Sequence, residues 1–174
     1  MATLIGLLGR SRVGKDTVAD YVACQYGYSV ARLSTPVKEA CKELFGFSKD
    51  QVDGAGKDVL DSRVGATPRQ CMVWLAETTH KTYSPDFFFK RLLEGIDPSQ
   101  RIVIPDVRYE ADIRCIRELG GRILKISRSS APVSYTFEGH IDMLHGDFHV
   151  MNNGSIEELQ SYVRKVFDSM GDRV

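Results

Sequence analysis

Gly9-Arg10-Ser11-Arg12-Val13-Gly14-Lys15 spaces two glycines and a lysine as G-x-x-x-x-G-K. The apolar run Thr3 to Leu8 precedes it, and Asp16 to Tyr26 follows, with Val18 and Val22 one turn apart before Gly27. The run reads as a buried strand, and the segment after the loop as a helix that stops at Gly27. In that strand–loop–helix setting the glycines let backbone N–H groups turn inward around phosphate oxygens, while the helix N-terminus adds a favourable dipole. Lys15 is placed to neutralise the β- and γ-phosphates of a bound triphosphate. Gly9 to Thr17 is therefore a candidate nucleotide cradle. One position departs from the pattern: Asp16 stands where a Ser or Thr hydroxyl usually binds Mg²⁺, and Thr17 comes one residue later. A carboxylate there could hold magnesium directly or through water, or simply complement the helix dipole. Thr17 could contact the α-phosphate. Asp16 and Thr17 are the candidate metal ligands.

Working outward, the chain alternates strands and helices. Ser29 to Leu33 reads as a short strand, and Pro36 opens a helix that Gly46 closes. Ser48 to Gly65 is polar and glycine-rich without a clear period, and reads as a mobile surface segment. Thr67-Pro68 caps a helix running through Trp74 toward His80, and Ser84-Pro85 repeats the device before Asp86 to Glu94. Arg101 to Asp106 is a β-branched strand ending at an acid. Tyr109 to Leu119 is a helix stopped by Gly120-Gly121, Arg122 to Ser127 is a fourth strand, and Phe148 to Met151 a fifth. Ser155 with Glu158 forms a capping box for a last amphipathic helix carrying Ile156, Leu159, Val163, Val166 and Phe167. This alternation predicts an α/β fold, a parallel sheet with helices on both faces. Right-handed crossovers gather the strands' C-terminal ends on one edge, so the loop after Leu8, Asp106, and the segments after Leu33 and Ser127 are expected to share one crevice.

The chain has 174 residues, which favours one domain. Basic and acidic residues number 23 each, so the balanced chain has no electrostatic footprint for nucleic acid or an anionic membrane. Met1 to Gly9 is too short to cross a bilayer and lacks a basic leader. Cys24, Cys41, Cys71 and Cys115 form no CxxC pair and read as small reduced core residues in helices, which points to a cytoplasmic location. His140, Asp142, His145, Asp147 and His149 crowd one stretch, but their spacing matches no established zinc pattern, and they read as lid-loop residues. A guanine-binding N-K-x-D motif is absent from the sequence.

Gly14-Lys15-Asp16-Thr17, Pro36-Val37-Lys38, Pro105-Asp106-Val107-Arg108, Gly120-Gly121 and the run Asn152 to Leu159 resemble, in order and context over nearly the whole chain, the bacteriophage-type deoxynucleoside monophosphate kinases. The resemblance implies a single P-loop kinase domain over 1–174 with a five-stranded parallel sheet, an acceptor-binding segment at about 34–95 and a lid at about 128–147. It also implies ATP and Mg²⁺ as co-substrates, and γ-phosphoryl transfer to a deoxynucleoside 5′-monophosphate. Lys38 and Arg69 fall where such a kinase would hold the acceptor, each near a helix start. Asp106 could touch the acceptor or organise Mg²⁺-bound water, Arg108 could pair with phosphate, and Arg128 falls where a lid cation lies near the donor. Lys15, Arg69, Arg108 and Arg128 are thus the candidate catalytic cations. Trp74 and Phe87-Phe88-Phe89 could stack the acceptor base or belong to the core. The helix Gln70 to Ala76 could face the core or a second subunit, which leaves a homodimer open. Two rival readings remain: a kinase for another small phosphorylated metabolite, of the phosphomevalonate or dephospho-coenzyme A type, and an ATP-binding scaffold without turnover.

Overall fold

The computed structural model describes residues 3–97, 99–129 and 136–171. The strands are β1 (Thr3–Leu8), β2 (Ser29–Val30), β3 (Arg101–Val107), β4 (Arg122–Ser127) and β5 (Phe148–Met151). The helices are α1 (Lys15–Tyr26), α2 (Thr35–Phe45), α3 (Lys49–Asp53), α4 (Pro68–Thr82), α5 (Phe87–Leu93), α6 (Glu110–Glu118) and α7 (Ile156–Ser169). The strands form one sheet in the order β2-β3-β1-β4-β5, and every neighbouring pair is parallel.

Alternation along β1 separates two apolar layers. Ile5 and Leu7 join Val18 and Val22 of α1 and Leu159, Val163 and Phe167 of α7 in one buried cluster. Gly6, between them, faces the Ile116 side chain of α6 on the opposite side. The helices end where local chemistry stops them. Gly27 and Gly46 take left-handed backbone after α1 and α2. Thr67 with Gln70, and Ser155 with Glu158, form reciprocal capping boxes at the starts of α4 and α7.

The pairing of β1 with β3 carries an irregularity at the site edge. Gly6 pairs with Ile104 but Leu8 pairs with Val107, so Pro105 and Asp106 together oppose Leu7. A proline cannot donate to the ladder, and a bulge is where a central strand tolerates one. The extra residue also resets which way Asp106 and Arg108 leave the sheet.

The chain divides into two compact units, Met1–Arg32 with Leu92–Val174, and Leu33–Arg91. The first holds the sheet. The second is helical, and here the sequence reading of 48–65 as a mobile segment is corrected. Ser48 and Gln51 make a capping box that starts α3, Ala55–Asp58 forms a 3₁₀ turn, and Asp61 pairs with Ala66 in an antiparallel bridge. Asp61 is buried and accepts from Arg63 Nε at 3.0 Å and from Gln51 Nε2 at 2.9 Å. The Arg63 guanidinium, ahead of Gln51, holds that carboxyl well below the usual carboxylate range.

Smaller corrections follow the same logic of tertiary context. The second strand ends at Val30 rather than Leu33, where the chain passes into the helical unit. Phe88 and Phe89 are core residues, so they are not open to a base. Cys41 and Cys71 are buried, whereas Cys24 is exposed and Cys115 half-buried. Ile156 is exposed, so the buried stripe of α7 begins at Leu159. Among the described residues no helix is long and apolar enough to cross a membrane.

Candidate active site

The segment from Gly9 to Lys15 leaves β1 and enters α1 through left-handed backbone at Arg12, φ 64°, and Gly14, φ 101°. Arg12 is a non-glycine residue in a region such residues seldom occupy, and strain of this kind is typical of anion-binding turns. A side chain at Gly9 would collide with the Ile126 carbonyl at the end of β4. Lys15 Nζ donates to the Gly9 and Arg10 carbonyls, 2.7 Å each, so its ammonium lies over the loop it follows.

Two later segments grip this loop. Arg10 makes a two-pronged ion pair with Asp142 of the 3₁₀ segment Thr136–Met143, with Nε 2.9 Å from Oδ1 and Nη2 on Oδ2. Asn152, immediately after β5, is 7% exposed and donates from Nδ2 to the Val13 carbonyl at 2.9 Å. A cavity of about 260 Å³ opens beside them, lined by Gly9, Arg10, Val13, Lys125, Arg128 and Asp142 among others. Arg128 lines the same cavity as Gly9 and Arg10. The expected lid at about 128–147 is described only in part, because 130–135 lie outside the described residues. Asp147 is an anchor rather than a lid residue, accepting from the Ile123 N–H at 2.7 Å and from Arg117 Nη2 at 2.9 Å.

Past the β3 bulge, Asp106 and Arg108 lead into a turn held by a buried acid. Asp112, 3% exposed, accepts on Oδ2 from the backbone N–H groups of Arg108 at 3.2 Å and Tyr109 at 3.0 Å. Burial pushes its carboxyl up to about 6; the two N–H donors and the Arg108 charge pull it down, and Asp106 pushes it up. His140 donates from Nε2 to the Arg108 carbonyl at 2.9 Å and stacks on Tyr109 with centroids 5.6 Å apart. Of the remaining histidines in that stretch, His149 Nε2 lies 2.9 Å from Ser127 Oγ. Among the described residues no group of three or more His, Cys, Asp or Glu side chains converges as metal ligands.

Asp16 and Thr17 offer hard oxygen donors of the type Mg²⁺ takes. The Asp16 carboxylate accepts from Arg32 Nη2 at 2.7 Å, so a cation there would share or displace that partner. Ser11 and Thr17 are half-buried within the same segment. In the helical unit, Lys38 Nζ lies 2.7 Å from Asp53, and Arg69 forks onto Asp58 at 2.7 and 3.1 Å. Both cations sit in first turns that carry no acid, an unfavourable place for positive charge unless a partner answers it. The Lys38 hydrogen bond holds Asp53 below its ordinary value. Trp74 is 57% exposed on α4, which removes it from the core. Asn152 and Arg32 escaped the sequence reading as functional groups, since each meets a partner that local pattern does not reveal, and Asp112 escaped it although its partners lie only three and four residues away.

No model of a known protein family matches the chain. A protein of Acanthamoeba polyphaga mimivirus named "Putative deoxynucleotide monophosphate kinase" is 30% identical over 186 residues, covering 95% of this chain and 96% of the relative. Shikimate kinase from Aquifex aeolicus vf5 superposes with a TM-score of 0.54 at 12% identity, over 97% of this chain and 98% of that one. The second likeness carries fold alone; the first, end to end, carries descent. This chain carries the Gly9–Lys15 loop at the head of a 2-3-1-4-5 parallel sheet, and it belongs to the deoxynucleotide monophosphate kinase family, phosphotransferases on the P-loop kinase fold.

Proposed function

We propose that this protein transfers the γ-phosphoryl group of ATP to a deoxynucleoside 5′-monophosphate, giving the diphosphate and ADP. The observation that carries this is the end-to-end similarity to the mimivirus protein, joined to a Gly9–Lys15 loop with left-handed Arg12 and Gly14. An oxygen of the acceptor phosphate attacks the γ-phosphorus in line, while the bond to the β–γ bridging oxygen breaks and ADP departs. Charge spreads over the transferring group and both flanking oxygens, so catalysis consists of aligning the reactants and supplying cations. Gly9 to Thr17 takes the triphosphate through backbone N–H groups, and Lys15 exchanges its two carbonyl partners for β- and γ-oxygens. Arg10 and Arg128, lining the cavity beside the loop, face the donor. Lys38 and Arg69 are assigned to the acceptor's phosphate, Arg108 to a phosphate and Asp106 to the acceptor, each by its own chemistry. Trp74 presents an indole face to the acceptor base.

Asp16 and Thr17 would hold Mg²⁺, which would supply neutralisation of phosphate charge. Small nucleotides are the partners this chemistry needs, in a reducing, cytoplasm-like compartment that suits four free cysteines. The test is a panel of deoxynucleoside monophosphates, phosphomevalonate and dephospho-coenzyme A, each with ATP and magnesium, read as ADP formed. Stimulation by a deoxynucleotide is the expected result. Stimulation by another metabolite alone would move the acceptor, and acceptor-independent binding without turnover would leave a scaffold.

A further inference from the structure

Val13 and Asn152 are 139 residues apart in sequence and joined by one buried hydrogen bond. The backbone of Asn152 is itself fixed, because its N–H donates to the Ser127 carbonyl at 2.7 Å and so extends the pairing of β4 with β5. The amide therefore comes from the edge of the sheet, not from a loop free to follow its partner. Its acceptor is the carbonyl of the Val13–Gly14 peptide. In a planar trans peptide the C=O and N–H point in opposite directions. A donor that holds the Val13 oxygen toward Asn152 necessarily turns the Gly14 N–H the other way, as one of the inward donors a phosphate cradle is made of.

Gly14 shows the same fit from the other side. A Cβ there would stand 2.6 Å from Asn152 Nδ2, so the missing side chain leaves room for the amide as well as permitting φ 101°. Asn152 Nδ2 and the absent Gly14 side chain are two halves of one contact. We infer that Asn152 is a positioning residue for the nucleotide cradle, orienting the Val13–Gly14 peptide so that its N–H faces phosphate. The inference rests on the proposed ATP reading of the loop and goes beyond it by naming what holds the loop in its binding form.

The test compares wild type with Asn152→Ala, and with Asn152→Leu, which keeps the branched shape without the donor. ATP KM is expected to rise at least tenfold in whichever variant folds, with acceptor KM within twofold, because a purely structural role would lower stability without separating the two substrates. An ATP KM within twofold of wild type in a folded variant overturns the inference. A second measurement needs no variant. In a ¹⁵N–¹H spectrum of wild type titrated with inorganic tripolyphosphate, the Gly14 backbone and Asn152 side-chain amide signals should move together. If Gly14 moves and the Asn152 amide does not, the positioning role fails while the cradle stands. If neither moves and tripolyphosphate does not bind, the ATP reading itself is lost.

Discussion

Replacing Asp112 by asparagine tests whether the turn carrying Arg108 is held by a buried carboxylate. Asn Oδ1 can accept the same two N–H groups of Arg108 and Tyr109, so the variant keeps the turn and removes only the charge. In the folded protein the acid stays protonated until about pH 6, against an ordinary value of 3.8. As pH rises through 3.8 the unfolded chain releases its proton and the folded chain does not, so Asp112 subtracts stability progressively until about pH 6 and by a constant amount above it. A displacement from 3.8 to about 6 corresponds to about 3 kcal/mol at 1.36 kcal/mol per unit. The other titrating groups are common to both proteins and cancel in the difference. Urea unfolding at half-unit steps from pH 4 to pH 8 gives that difference directly. About 0.6 kcal/mol of this is already lost at pH 4, so with a slope of about 2 kcal/mol per molar the midpoint of Asp112→Asn should gain about 1.2 M on wild type between pH 4 and pH 7. Two midpoint curves running parallel across that range would refute the buried-acid account, because Asp112 would then be titrating alike in both states.

Three further substitutions address the site. Lys15→Ala should lower turnover on the order of 10²-fold or more, since its cation meets the transferring group's charge, and near-wild-type kcat would remove Lys15 from that role. Arg69→Ala should raise acceptor KM at least tenfold and leave ATP KM within about twofold; equal loss for both substrates would contradict the acceptor assignment. Gly14→Ala forces a Cβ into left-handed backbone and displaces the buried Asn152 amide, a cost of roughly 3 kcal/mol. Its melting temperature should fall by about 10 °C, checked by calorimetry, and an unchanged value would mean that the loop is not packed as described.

What could be read from the residues alone was whatever is written within one element. Thr67-x-x-Gln70 and Ser155-x-x-Glu158 announce helix starts because both partners lie three residues apart. Thr3–Leu8 stands out as a strand because burial on both faces demands a near-continuous apolar run. Ser48-x-x-Gln51 carried the same capping signal, yet the aspartates and glycines around it masked a short α3 whose order depends on Asp61. Val30 ends its strand at the edge of the sheet, beside β3 alone, a fact of sheet order that composition does not hold. The site divides likewise. The loop Gly9–Lys15 is legible from spacing; Asp142 on Arg10, Asn152 on Val13 and Arg32 on Asp16 are not, since the partners stand 132, 139 and 16 residues apart.

Those partners bear on how a chain of zero net charge can gather phosphates at all. Several of the cations assigned to phosphate already answer an acid or a carbonyl nearby: Lys15 on Gly9 and Arg10, Arg10 on Asp142, Lys38 on Asp53, Arg69 on Asp58. A broad positive field is therefore absent, and polyanions gain nothing from long-range attraction. A nucleotide must instead compete pair by pair. Partly exposed ion pairs of this kind are worth about 0.2–1 kcal/mol each, whereas a charge-assisted hydrogen bond to phosphate contributes about 1.5–3 kcal/mol. The exchange favours phosphate at each cation by a modest margin, so affinity must be assembled from several exchanges at once. A ligand with one phosphate in the wrong place completes too few of them. On the proposed assignment, selectivity for phosphate and ready release of the products would follow from the same placeholder partners.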